Sequence, residues 1–233
     1  MLINSCYKVH HLEDNTERKQ YVDNINNYLK KYSTELNSPT IKISNQEEMI
    51  NFLKENPDFN LNLNGYNLDD TQGWRYGEIG VWASNFLAWK NFLNSDFDYM
   101  ILMEDDIMFT DNYFPLLSEY INEITLPWDA FFFTVASGQY FKYSQQHDVG
   151  FKNVSKTYQD HWLLCYVLNK RGAELAISNT YPGISLPVDW YFFRQTDKFE
   201  LYTLKPDIIS GCYGSPTETS FQMNERKVMK IDS

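Results

Sequence analysis

Apolar positions recur along the chain with two periods, and the switches between them mark the elements. Cys6–Leu12 (CYKVHHL) reads as a first strand, closed by the turn residues Glu13, Asp14 and Asn15. Asn15 suits a helix N-cap, and Tyr21, Val22, Ile25, Tyr28 and Leu29 follow at helical spacing, which predicts a helix ending near Lys31. A short second strand is expected at Thr40–Ser44 (TIKIS) and a helix at Gln46–Glu55. The most regular helical pattern is Gly77–Asn94, where Ile79, Trp82, Ala83, Phe86, Leu87 and Leu93 share a face interrupted only by Lys90. Tyr99–Met103 (YMILM) is apolar without alternation, as in a strand covered on both faces. Helical spacing returns at Tyr113–Ile124. Strands are expected at Ala130–Val135 and His161–Leu168, and a last helix from Arg171 to Ser178. Strands and helices alternate through most of the chain, which predicts an α/β architecture around a largely parallel sheet.

In such sheets ligands gather at the carboxyl ends of the strands. Glu104, Asp105 and Asp106 follow directly on the apolar run, at an end of that kind. An extended backbone sends Glu104 and Asp106 to one face and Asp105 to the other. Two carboxylates about 6–7 Å apart repel by roughly 2–3 kcal/mol at an effective dielectric of about 20. Beside a core, such a cluster calls for a cation or for one member to stay protonated. A hard divalent ion with oxygen ligands, Mg2+ or Mn2+, is the natural relief. The triplet by itself fits a phosphatase, a nuclease or a nucleotide-sugar enzyme, and the bland alternative is a solvated turn whose acids cap amides.

The 233 residues suffice for one sizeable domain, and no Pro/Gly/Ser linker divides them, so a single domain over residues 1–233 is expected. The net charge of −11 argues against nucleic acid as a partner and requires a metal or arginines wherever an anion binds. Three cysteines without a CxxC read as reduced thiols. The N-terminal sequence lacks a signal-peptide core, and no apolar run is long enough for a transmembrane segment, so a cytoplasmic location is expected. Nothing indicates the oligomeric state. The sequon at Asn153-Val-Ser155 is taken as coincidence, and His10, His11, His147 and His161, which lack zinc-type spacing, are expected at the surface or at strand edges.

The stretch Gly77–Phe109 resembles the signature of glycosyltransferase family 25, the family of lipopolysaccharide and procollagen galactosyltransferases. Gly77-Glu78-Ile79-Gly80, Ser84, Trp89 and Glu104-Asp105-Asp106 match in order and approximate spacing, with Asn85 where the family usually has histidine. Val9–Tyr21 with its Arg18, Asn169–Ile177 followed by Pro187-Val188-Asp189, and Thr217-Glu218-Thr219-Ser220 extend the likeness over nearly the whole chain.

The resemblance implies a GT-A fold, Rossmann-like with a mostly parallel central sheet flanked by helices. It also implies metal-dependent transfer of a hexose, galactose or glucose, from a UDP-sugar to an acceptor hydroxyl, with inversion. The acceptor would be a glycan or a protein- or lipid-linked group. By that analogy Asp106, with Glu104, holds Mn2+ or Mg2+, and Arg18, Glu78 and Asp105 contact the donor, with Glu104 and Asp105 left interchangeable between the metal and the donor ribose. Gly77, Trp190 and Glu218 would line the substrate site, with Trp190 and Tyr191 as a stacking platform unless they belong to the core. Asp189 is the candidate general base, and could also be a metal ligand or bind sugar hydroxyls. Glu78 would equally suit the helix dipole alone. Two other classes stay open: a non-catalytic sugar-nucleotide or glycan binder of the same fold, and a metal-dependent phosphohydrolase.

Overall fold

The computed structural model describes residues 4–62, 75–105, 107–133, 145–159, 165–180, 183–205 and 212–214. In chain order the elements are β1 (Ser5–His10), α1 (Thr16–Leu29), β2 (Thr34–Glu35), α2 (Gln46–Glu55), α3 (Tyr76–Leu93), β3 (Tyr99–Glu104), β4 (Ile107–Phe109) and α4 (Tyr113–Glu123). They continue as β5 (Ala130–Phe132), β6 (Gln145–His147), β7 (Val154–Gln159), β8 (Cys165–Asn169), α5 (Lys170–Ser178), α6 (Val188–Tyr191), β9 (Leu201–Leu204) and β10 (Cys212–Gly214).

Eight strands form one sheet in the order β2-β1-β3-β8-β5-β9-β7-β6. β1 runs parallel to β2 and β3, and β5 parallel to β9, while β8 is antiparallel to both β3 and β5. β7 is antiparallel to β9 and β6. Only β7 and β8 therefore point against the rest, and the sheet is mostly parallel, as the alternating pattern predicts. β4 and β10 make a separate two-stranded antiparallel ribbon. The acidic triplet thus falls where the chain leaves the main sheet.

Both faces of the sheet are covered, which explains why β3 does not alternate. On one face Trp82, Phe86, Trp89 and Phe92 of α3 pack on Cys6, Met100, Leu102 and Tyr166. On the other, Ile25 and Leu29 of α1 and Leu117 and Ile121 of α4 pack on Tyr7, Ile101, Met103 and Val167. Each fully buried large side chain contributes roughly 1.5–3 kcal/mol of transfer free energy. Tyr191 belongs to the first layer, not to a sugar platform. Its hydroxyl donates to the Ala176 carbonyl at 2.6 Å, and its ring stands edge-on to Trp82 at 4.7 Å.

The length of α3 places its start. Eighteen residues rise about 27 Å at the α-helical pitch, against about 20 Å for the six residues of β3. The helix ends five residues before β3 begins, so its N-terminus reaches past the opposite, carboxyl end of β1 and β3.

The second strand is not Thr40–Ser44 but Thr34–Glu35. The alternating TIKIS segment is extended, yet its polar groups are met elsewhere. The Ile41 amide donates to Ser84 Oγ at 2.8 Å, and Thr40 Oγ1 accepts from the His11 amide at 3.3 Å. Gly80 permits this close crossing, since a Cβ there would lie 2.8 Å from the Ile41 carbonyl oxygen. β7 and β9 carry mixed patterns that periodicity does not single out. The expected strand at 161–168 is observed from Cys165, its first four residues lying outside the described ones.

Asn153, the sequon asparagine, is buried, and Glu123 accepts both its side-chain N–H (2.8 Å) and its backbone N–H (2.7 Å). Cys6 and Cys165 are buried free thiols. No helix among the described residues is long and apolar enough to cross a membrane.

Candidate functional site

β1 and β3 pair in parallel with His10 opposite Glu104, so both strands end at the same level. The next residues, His11 and Asp105, leave the sheet side by side. His11 Nδ1 lies 2.7 Å from Asp105 Oδ2, and Arg18 Nη1 donates to Asp105 Oδ1 at 2.6 Å. Arg18 comes from the first turn of α1, brought in by the tight turn in which the Asn15 amide donates to the Leu12 carbonyl at 2.9 Å. The three side chains are only 10–17% exposed, so these charge-assisted bonds are screened less than surface pairs. The carboxylate favours the His11 proton on Nδ1, leaving Nε2 as the ring's second polar atom. The 36–44 segment is fastened over this turn by His11 to Thr40 and by an ion pair between Lys42 and Asp14.

Asp105, expected to contact the donor, accepts from Arg18 with one oxygen and lies against His11 with the other. It faces α1, whereas Glu104 continues the row of Met100 and Leu102 beneath α3. The opposed faces expected of the first two acids are therefore observed. Asp106 lies outside the described residues, as does Glu218.

His10 and His11 correct the expectation of surface or edge histidines, while His147 is exposed and His161 lies outside the described residues. His10 shares the α3 face with Glu104, and both its ring nitrogens are buried without a hydrogen-bond partner. Burial, followed by the nearby Lys8 charge, pushes its pKa down to about 3 against an opposing pull from the Asn85 side chain. The ring is neutral. Asn85 itself ties α3 to β8: its Nδ2 donates to the Val81 carbonyl at 2.9 Å and its Oδ1 accepts from the Tyr166 hydroxyl at 2.5 Å. Trp89 Nε1 in turn donates to the Tyr166 hydroxyl at 3.1 Å. The sequence does hold the signal for both histidines. A pair ending the first strand must sit beside the acids ending the third once the two strands pair in parallel.

At the start of α3, Glu78 Oε2 accepts from the Arg75 amide at 3.0 Å, so the carboxylate caps the helix. Burial raises its pKa, opposed by the Arg75 amide and charge. The two glycines of GEIG differ. Gly80 is required by the crossing at Ile41, while a Cβ at Gly77 would meet nothing within 4 Å among the described residues. Beside α3, α6 is fixed by Tyr191 and by Trp82 Nε1, which donates to the Leu186 carbonyl at 2.7 Å. This sets the backbone of Asp189, whose side chain is outside the described residues. Trp190 is half-buried, with the Arg194 guanidinium 5.2 Å from its ring centre.

Among the described residues, no three His, Cys, Asp or Glu side chains gather into a metal cage. Mg2+ or Mn2+ held through one or two carboxylates, with diphosphate oxygens and water completing the shell, needs no such cage. Glu104, at a strand end with Asp106 two residues on in the sequence, fits that demand. A surface groove of about 600 Å3 between α4 and the Gly150–Asn153 turn shares no lining residue with this cluster.

Comparison with known proteins bears on the same residues. Residues 8–192 match the sequence model of glycosyltransferase family 25 (LPS biosynthesis protein). The bovine (Bos taurus) "Probable inactive glycosyltransferase 25 family member 3" is 25% identical over 116 residues, 48% of this chain and 19% of that protein. Human (Homo sapiens) "Procollagen galactosyltransferase 2" is also 25% identical over 116 residues, 48% of this chain and 18% of its own length. The mouse (Mus musculus) protein of that name is 24% identical over 139 residues, 54% and 22% of the respective chains. The match thus spans about a fifth of each curated relative's length. Among solved structures, Drosophila β-1,4-galactosyltransferase 7, a mutant complexed with manganese, UDP-Gal and xylobiose, aligns over 98% of this chain and 76% of that one. The alignment has 16% identity and a TM-score of 0.46. The family model runs from within β1 through α6, including the Arg18–Asp105–His11 cluster, and the chain belongs to glycosyltransferase family 25.

Proposed function

We propose that the chain transfers a hexose, galactose or glucose, from a UDP-sugar to a hydroxyl of a glycan or of a protein- or lipid-linked acceptor, inverting the anomeric centre. The observation that carries this reading is the Arg18–Asp105–His11 cluster at the shared carboxyl end of β1 and β3, in a chain of this family. Asp105 orients Arg18 and His11, which present cationic and hydrogen-bonding groups to a nucleotide diphosphate in a protein of net charge −11. Glu104 and Asp106 hold the divalent ion, which when bound offsets the charge that develops on the departing diphosphate. Asp189 takes the proton from the acceptor hydroxyl as that oxygen attacks the anomeric carbon from the face opposite the diphosphate. Trp190, stiffened by Arg194, and the open backbone at Gly77 border the sugar, with Glu218 as a further contact. A single-displacement transfer of this kind needs no covalent enzyme intermediate.

A second reading, a non-catalytic sugar-nucleotide binder, is favoured by one specific observation: a relative named as a probable inactive member matches 48% of the same chain. One experiment separates the two. UDP-sugars are incubated with the protein and Mn2+, and both binding and UDP release are measured. Binding with release supports transfer, and binding without release supports the binder. Absence of both, with phosphate freed from simple esters, would point to a phosphohydrolase.

A further inference from the structure

His10 is half-buried, with both ring nitrogens buried, and the chemistry above leaves it unused. It lies on the α3 face of β1, directly opposite Glu104 in a parallel register, with side chains of the two residues on the same side of the sheet. Adjacent strands stand about 4.8 Å apart, so an imidazole and a carboxylate at these positions are within reach of each other through a rotamer change. Among the described residues, neither ring nitrogen has a hydrogen-bond partner. A buried polar group left in that state is costly and rare, and it marks a place where a partner arrives under other conditions.

Behind His10 stands a fixed polar chain. Trp89 Nε1 donates to the Tyr166 hydroxyl, which donates to Asn85 Oδ1, while one Asn85 amide proton goes to the Val81 carbonyl. One Asn85 amide proton remains on the side of the neighbouring His10 ring. The chain therefore runs from the core of α3 and β8 to the end of β1 and stops beside the first acid of the triplet.

Resting on the reading that Glu104 faces the metal-bound donor, we infer that His10 is a positioning residue for Glu104. One ring nitrogen accepts from the Asn85 amide, and the opposite N–H donates to the Glu104 carboxylate when that side chain engages the diphosphate-bound ion. A carboxylate held by a neutral donor keeps its charge and loses its rotational freedom, as ligating carboxylates generally require.

The test is calorimetric titration of UDP, with and without Mn2+, into the wild type, His10→Phe and His10→Gln, alongside thermal unfolding. The expected result is that His10→Phe unfolds within a few degrees of the wild type and loses about 10–100-fold in Mn2+-dependent UDP affinity. Its metal-free UDP affinity stays unchanged, and His10→Gln, which retains an N–H donor, recovers most of the loss. In a Glu104→Gln background, His10→Phe should add nothing further. Wild-type affinity in His10→Phe overturns the inference, as does a parallel loss of affinity and melting temperature in both His10 variants. If the wild type itself fails to bind UDP with Mn2+, the donor reading falls and this inference with it. If the wild type binds and His10→Phe binds equally, this inference alone falls. Should His10→Phe fail to fold, 15N-imidazole spectra of the wild type with Mg2+–UDP decide. A slowly exchanging His10 N–H that Glu104→Gln shifts supports the assignment, and its absence overturns it.

Discussion

Arg18 and Asp105 are 87 positions apart in sequence, yet Nη1 and Oδ1 meet at 2.6 Å. This contact joins the first turn of α1 to the end of β3, with His11 on the second carboxylate oxygen. It holds together the two strand ends that the acidic triplet and the histidine pair occupy. The pairing also explains why the middle acid of a three-carboxylate run can sit 7% exposed in a chain of net charge −11.

Removing that acid leaves a guanidinium and an imidazole without the carboxylate they share. Asp105→Ala is expected to lower the unfolding free energy by about 2–3 kcal/mol, below the range for fully buried pairs because the side chains retain some solvent contact. Asp105→Asn should cost less, since the amide oxygen still accepts from Arg18. Urea denaturation at neutral pH measures both. A loss under about 0.5 kcal/mol for Asp105→Ala would mean that solvent screens the cluster as it does ordinary surface pairs.

Glu78 titrates above its ordinary range, mainly because burial disfavours its charged form. The native state then binds the proton more tightly than the unfolded chain, so stability declines as pH rises from the unfolded to the native pKa and is level above it. Glu78→Gln keeps an oxygen for the Arg75 amide and carries no proton to lose. Relative to the wild type, its melting temperature should therefore rise between about pH 4 and neutrality, given an unfolded Glu pKa of about 4.3. UDP affinity supplies the complementary measurement. Unchanged affinity in Glu78→Gln identifies a helix cap, and lost affinity at full stability identifies a donor contact.

The elements that the sequence displayed were those with a single consistent environment. α2 and α3 lie within a residue or so of their expected bounds because their apolar faces meet one partner layer. Tyr99–Met103 was legible because helices cover both of its faces. Thr40–Ser44 misled because alternation reports extended backbone and does not say what the backbone pairs with. Here the partners are a serine and a glycine of α3. The site was half legible for a related reason. Acids at a strand end are a local signal, whereas the roles of His10, His11 and Arg18 depend on the register between β1 and β3, nearly a hundred residues away.

The two glycines of GEIG are expected to respond oppositely. Gly80→Ala drives a Cβ to 2.8 Å from the Ile41 carbonyl, against backbone that cannot yield without lifting the 36–44 segment. A loss of about 1–3 kcal/mol is expected from such overpacking. Gly77→Ala meets nothing within 4 Å among the described residues and gains helix propensity, so its stability should be equal or up to about 1 kcal/mol higher. If the space at Gly77 belongs to the sugar, that variant loses UDP-sugar affinity while keeping affinity for UDP alone. Thermal unfolding and competitive binding read the two effects separately, and a Gly77→Ala variant that binds UDP-sugar normally removes this residue from the substrate site.

Metal dependence divides the triplet by function. Asp105 has both oxygens engaged by protein partners, so its loss should act through stability and through the placing of Arg18 and His11. Glu104 and Asp106 are proposed to act through the ion. Asp106→Ala is therefore expected to keep the melting temperature of the wild type and lose on the order of 100-fold in Mn2+-dependent UDP binding, since a divalent ion held by one or two carboxylates cannot spare one. Chelation with EDTA should bring the wild type down to the same affinity and leave Asp106→Ala unchanged. Relief of like-charge repulsion may not be invoked to rescue the idea, because Asp106→Asn removes the same charge while keeping an oxygen. That variant should bind the ion weakly and fall between the other two. Equal UDP affinity in all three proteins, with and without chelator, would remove the metal from the donor site.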